Sequence, residues 1–177
     1  MFFLWFCFTS LISLQGFSQL KFRKQMIAAE SAESVGVFDV NGDRILDILS
    51  GSYWYEDPLF LNRHLIGQIE RISEYFDDFS TIPYDVNGDG KTDFITGGWF
   101  GKTLRWRENP GNDQEWPLHD IAVTGNIEST RAWDVNGDGF DEIVPNTPGQ
   151  PLAYYTLIRD KNNKYTSRFS RTKVAEK

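Results

Sequence analysis

The chain has 177 residues, enough for one domain with a sizeable core. Its formal net charge of −7 excludes nucleic acid as a partner, because phosphate binding needs a basic face. High aromatic content (15%), fifteen Gly and seven Pro favour strands joined by turns over helices, so an all-β fold is expected.

In chain order, Met1 to Leu14 is almost entirely apolar and no charge appears before Lys21. That run is too short to span a bilayer but suits the apolar region of a signal peptide. Gly16 and Ser18 are small residues placed for a cut before Gln19. Residues 1–18 are therefore expected to be a signal peptide. The mature chain is expected in a secreted, periplasmic or cell-surface setting, without a membrane span. Cys7, the only Cys, lies in this segment and lacks the small residues that precede a lipidated cysteine. A mature chain without Cys has no disulfides, so another staple is expected. Leu20 to Ile27 reads as a lone outer strand.

Three segments then align without gaps: Asp39-Val-Asn-Gly-Asp-Arg-Ile-Leu-Asp47, Asp85-Val-Asn-Gly-Asp-Gly-Lys-Thr-Asp93 and Asp134-Val-Asn-Gly-Asp-Gly-Phe-Asp-Glu142. Each follows an aromatic residue (Phe38, Tyr84, Trp133), with a Ser five positions before the first Asp (Ser34, Ser80, Ser129). An apolar pair follows each loop, then in two copies a Gly-rich turn, at Gly51 and Gly97-Gly98. Trp54-Tyr-Glu-Asp-Pro58 aligns with Trp106-Arg-Glu-Asn-Pro110, and His64 with His119. One unit thus reads strand A, acidic loop, strand B, turn, strand C, Asx-Pro turn, strand D. In the second unit the strands are predicted near Thr81–Tyr84, Asp93–Gly97, Thr103–Glu108 and Trp116–Val123. In the third, strand C is predicted at Leu152–Arg159 and strand D near Lys164–Val174. Four short strands in about 45 to 50 residues make a β-propeller blade. Blades are expected at about 28–75, 76–124 and 125–177. Propellers close with about four to eight blades, so a partial, open or truncated ring is expected, with self-association as one way to complete it.

Within each loop, side-chain oxygens fall at positions 1, 3, 5 and 9: Asp39, Asn41, Asp43 and Asp47; Asp85, Asn87, Asp89 and Asp93; Asp134, Asn136, Asp138 and Glu142. The backbone carbonyls of Ile45, Lys91 and Phe140 at position 7 add a fifth oxygen. Hard oxygens alternating along a tight turn suit Ca²⁺, so up to three Ca²⁺ are expected. An EF-hand is excluded, because its position-12 Glu is replaced by Ser50, Thr96 or Pro145. Gly90 and Gly139 at position 6 permit a left-handed backbone. Arg44 in the first loop does not, and its charge opposes a metal, so that site is expected to be the weakest.

These loops and the apolar pairs after them resemble the FG-GAP or VCBS repeats, the calcium-loop propellers related to the integrin α-subunit head. The resemblance runs from about Ser34 to Arg159 and implies a β-propeller, calcium in the A–B loops and an extracellular or cell-envelope setting. It implies no shared catalytic residues. Arg44 and Glu142 depart from the pattern.

Features repeated in every unit serve the architecture, so a ligand site is expected on the face opposite the metal loops. There the D–A connection after His64 carries Tyr75 and Asp77, the B–C turn of the second unit carries Trp99, Phe100 and Lys102, and that of the third carries Asn146. Aromatics beside amides and carboxylates suit sugar stacking and hydrogen bonding. Aligned His64 and His119 read as strand residues, aligned Glu56 and Glu108 as structural, and Trp54, Trp106 and Trp133 as inter-blade core. The leading expectation is a non-catalytic binding module for glycan or protein. The alternative is a polysaccharide lyase or hydrolase, or part of one, with Tyr75, Lys102 and Arg131 as the lyase candidates.

Overall fold

The computed structural model describes residues 20–175. The signal-peptide expectation for 1–18, and Cys7 with it, lies outside the described residues. Among the described residues every regular element is a strand. β1 (Gly36–Phe38), β2 (Asp47–Ser50), β3 (Tyr53–Tyr55) and β4 (Arg63–Leu65) pair in that order as one antiparallel sheet. β5 (Arg71–Ile72) and β6 (Tyr75–Phe76) form a small hairpin. β7 (Ile82–Tyr84), β8 (Asp93–Gly97), β9 (Thr103–Arg107) and β10 (Leu118–Val123) form a second four-stranded sheet. β11 (Ser129–Trp133), β12 (Glu142–Asn146), β13 (Ala153–Arg159) and β14 (Tyr165–Lys173) form a third. These are the all-β, propeller-type blades anticipated from the repeat, and none closes into a barrel.

Period-two side-chain alternation gives each central sheet two faces. In the first blade, Phe38, Leu49 and Trp54 share the face turned to the second blade, where Phe94 and Trp116 meet them. In the second blade the aligned set is Tyr84, Ile95 and Trp106, which packs with Ile143, Tyr155 and Leu157 of the third. The core is therefore two layers, each lying between successive blades. The A strands β1, β7 and β11 lie side by side. They line an open axial cavity of about 470 Å³, as the innermost strands of a propeller do.

Polar bonds reinforce the junction between the first two blades. The Trp116 amide donates to the Ile66 carbonyl at 2.8 Å. Arg107, only 7% exposed, donates to the carbonyls of Ile66 (3.2 Å), Trp116 (3.0 Å) and Gln68 (2.7 Å). Burial holds its guanidinium below the usual arginine value. Asp78, also buried, accepts hydroxyl bonds from Ser34 of the first blade (2.9 Å) and Thr96 of the second (2.5 Å). Desolvation raises its pKa to about 6, against the lowering effect of those bonds.

Two sequence expectations fail. Leu20–Ile27 is not a strand; every blade already has its own strand D, so this segment has no open strand C to pair with, and Leu20, Phe22 and Met26 are exposed. Trp133 is not inter-blade core but 56% exposed, because the face it occupies has no following blade against it among the described residues.

Candidate functional site

The three acidic loops have one backbone conformation. Positions 4 and 6 have positive φ in every copy: Gly42 and Arg44, Gly88 and Gly90, Gly137 and Gly139. Arg44 is thus held left-handed at φ 73°, where an L side chain costs about 1–2 kcal/mol. The first Asp wraps the loop around itself. Asp39 Oδ1 accepts the amides of Gly42 (2.7 Å) and Asp43 (3.1 Å), and its Oδ2 accepts the Arg44 amide (2.8 Å). Asp134 does the same for Gly137, Asp138 and Gly139, and Asp85 for Gly88 and Gly90. Asn41, Asn87 and Asn136 accept the amide two residues on, as do Asp43, Asp89 and Asp138. These Asx turns fold the loop by side-chain-to-backbone bonds alone.

Position 9 is buried in all three copies. Asp47, Asp93 and Glu142 accept the position-2 amides of Val40, Val86 and Val135 at 2.9 Å. The other oxygen of Asp47 accepts the Asp57 amide (3.1 Å), and that of Asp93 the Asn109 amide (2.8 Å). In the first two blades position 9 therefore ties the A–B loop to the C–D turn, whereas the other oxygen of Glu142 accepts from Asn136 of its own loop (2.8 Å). Burial raises the pKa of Asp93 to about 6, with the nearby charges of Asp89 and Asp85 adding to it. Burial also raises that of Asp47. Burial also raises Asp57, and the charge of Asp43 pushes it further the same way.

Among the described residues no three carboxylates or histidines already converge as a metal cluster, since the loop oxygens turn toward backbone amides. The donor set nevertheless fits a hard cation. It consists of oxygens alone, and although Asp39 Oδ1 and Asp134 Oδ1 each accept two amides, every loop carboxylate keeps one oxygen with a lone pair beyond a single bond. In the second loop a cationic group already sits on the acids: Lys91 Nζ pairs with Asp89. Burial pushes the Asp89 pKa up, but the bonds from Lys91 outweigh it and hold the carboxyl below its ordinary value.

The loops lie at the blade junctions. Asn109 of the second blade donates through Nδ2 to the carbonyl of Val40 in the first loop (2.8 Å). The Tyr84 hydroxyl donates to the carbonyl of Asp141 in the third loop (3.1 Å). A cleft of about 270 Å³ opens beside the first loop, lined by Asn41, Glu56, His64, Asn109, Asp113 and Trp116 among others. His64 stacks on Trp54 at 4.0 Å, and His119 on Trp106 at 4.5 Å. His119 pairs with Glu108 (3.0 Å), which accepts from Asn87 of the second loop (3.2 Å).

On the opposite face the ligand candidates part company. Tyr75 and Phe100 are exposed with ring centroids 6.5 Å apart, Lys102 is exposed and Trp99 half-buried. Asp77 is only 2% exposed. Its carboxylate accepts the amides of Phe100 and Gly101, both at 2.8 Å, and a bond from Arg105 (3.2 Å). A Cβ on Gly98 would fall 2.1 Å from Asp77 Oδ1; the Gly-rich turn makes room for this buried acid. Asn146 is exposed at the end of β12, where its carbonyl accepts the Glu128 amide. Arg131 lines the axial cavity, and among the described residues no contact joins it to Tyr75 and Lys102.

Sequence reasoning passed over Arg107 and Asn109, and placed Asp78 in the D–A connection of the ligand face, where it is instead buried. Only Asn109 carried a signal, in the alignment of Asp57-Pro with Asn109-Pro.

A four-stranded antiparallel unit, repeated with an acidic Asx-turned loop between its first two strands, defines a propeller-blade repeat protein. Residues 85–144, from the second loop through the third, match the sequence model of the FG-GAP-like repeat. No curated protein and no solved structure matches the chain.

Proposed function

We propose that this chain is an exported, calcium-stabilised, non-catalytic binding module whose ligand is a glycan or a protein. The observation that carries the reading is the identical loop backbone in all three copies, maintained at Arg44 despite its strain. Three carboxylates per loop held close together repel one another. A divalent cation at positions 1, 3, 5, 7 and 9 relieves that repulsion. Calcium replaces the disulfides that the sequence lacks as a staple. Among the described residues no helix is long and apolar enough to cross a membrane. The paired stacking of His64 on Trp54 and His119 on Trp106 favours structural over catalytic histidines. The Tyr75–Phe100 patch with Trp99 and Lys102 offers ring faces and an amine to a sugar or peptide.

Binding to the native state alone adds about 2.7 kcal/mol per site at hundredfold excess over Kd. Calorimetric titration of chelator-treated protein should give calcium heat, and EDTA should lower the melting temperature. Glycan-array binding should weaken with Tyr75→Ala. Absence of calcium heat together with an EDTA-insensitive melt refutes the metal reading. New unsaturated ends on uronate polymers would favour the lyase alternative.

A further inference from the structure

Among the described residues, the first and third blades each present one face that no blade covers, and the two faces correspond to the two sides of an internal blade junction; on the first blade only the Tyr55 end is crossed by the N-terminal segment, where Glu30 pairs with Arg63. On the third blade, Trp133 pairs with Glu142 as Phe38 does with Asp47 and Tyr84 with Asp93. Arg131 pairs with Val144 as Gly36 does with Leu49 and Ile82 with Ile95. One place on from the Ile143–Tyr155 pair, Val144 and Tyr154 occupy the positions of Ile95 and Trp106. In the first two blades this face is core. Here Trp133 is 56% exposed and Val144 and Tyr154 only half-buried.

The receiving side of a junction is formed by Phe94 in the second blade and by Ile143 with Tyr155 in the third, all buried. The corresponding residues of the first blade are Val37, Ile48 and Tyr55. Tyr55 is buried, but Val37 is 55% exposed, Val35 beside it 60%, and Ile48 half-buried. The chain thus carries both halves of an unmade junction.

We propose that a second copy of this chain completes the ring head-to-tail. The Trp133–Val144–Tyr154 face of each copy receives the Val35–Val37–Ile48 face of the other, giving six blades. That number lies inside the range of about four to eight in which propellers close. Charge agrees with this register. Within the chain, Gly36 lies against Thr81 of the next blade. Aligned positions therefore bring Arg131 against Val35 of the second copy, beside Glu33. Both Arg131 and Glu33 are exposed and border the axial cavity, which the second copy would close. Because the contact is heterologous and applied twice about a two-fold axis, the assembly stops at two chains.

Sedimentation velocity of the full chain in calcium, over a concentration series, should give two chains per particle. Val37→Glu and Val144→Glu should each give single chains with unchanged β-sheet circular dichroism. Should either variant misfold, the charge swap still decides: Glu33→Arg and Arg131→Glu should each weaken the dimer, and the double variant should restore it. A single chain throughout the series, as expected if a further blade or an unrelated protein covers the face, overturns the proposal. So does open-ended growth, a dimer that survives Val37→Glu, or a charge swap without rescue.

Discussion

Replacing Arg107 with Met isolates the polar share of the junction between the first two blades. The side chain is of similar length and apolar, so packing is largely kept while three charged hydrogen bonds are lost. The carbonyl of Ile66 still receives the Trp116 amide, whereas those of Gln68 and Trp116 lose the Arg107 donor. The buried Trp116 carbonyl left unsatisfied costs about 1–3 kcal/mol, and loss of the charged bond to the part-buried Gln68 carbonyl adds about 1.5–3 kcal/mol, so the substitution should cost about 3–5 kcal/mol. That is a large part of a typical stability of about 5–15 kcal/mol. At about 2–4 °C per kcal/mol for a domain of this size, the melting temperature should fall by about 6–20 °C. Arg107→Lys should not rescue it, since one ammonium cannot reproduce the planar fork. Urea unfolding followed by tryptophan fluorescence is the assay, because Trp54 and Trp116 lie in that junction. A variant within about 1 kcal/mol of wild type would show that the apolar layer alone holds the blades together.

Gly67→Ala attacks the same latch from the other side: φ is 138° and a Cβ would sit 2.3 Å from Arg107 Nη1, so thermal melts should show a loss comparable to Arg107→Met, without additivity in the double variant. Asp78 has a folded pKa of about 6 against an ordinary 3.8; the folded state binds the proton more tightly, so its contribution is fully present below about pH 4 and is lost as pH rises through about 6. In EDTA, Asp78→Asn should flatten that decline in chemical denaturation, though Asp93, with a pKa also near 6, keeps part of the slope. Arg44→Gly should raise the melting temperature by relieving about 1 kcal/mol of backbone strain, and calorimetry should find tighter calcium binding at the first loop.

The blades were legible because every loop is bounded by apolar strands with the same register, and a period of propeller-blade size has few other solutions. The loop conformation was legible down to position 6, where glycine marks the left-handed residue in two copies and Arg44 is forced to follow. Asp77 was not legible. It lies in a polar connection and reads as a surface acid, yet its carboxylate is spent on two turn amides that only the fold brings near. Trp133 misled for the opposite reason: its alignment with Phe38 and Tyr84 is real, but burial there depends on a neighbouring blade rather than on local sequence. Arg107 resembles any strand arginine until the first blade's carbonyls are placed against it.

Stacked repeats that touch only through apolar layers open like a one-dimensional array, fraying from the ends inward. The bonds from Asn109 to Val40 and from Tyr84 to Asp141 change that expectation. The first and third rim loops are each fastened to a residue of the second blade, so neither terminal blade can peel away without unpicking its own loop. Proteases cut chains that open locally. A chain stitched in this way offers them few partly opened forms, and its resistance to digestion should track global unfolding rather than loop exposure.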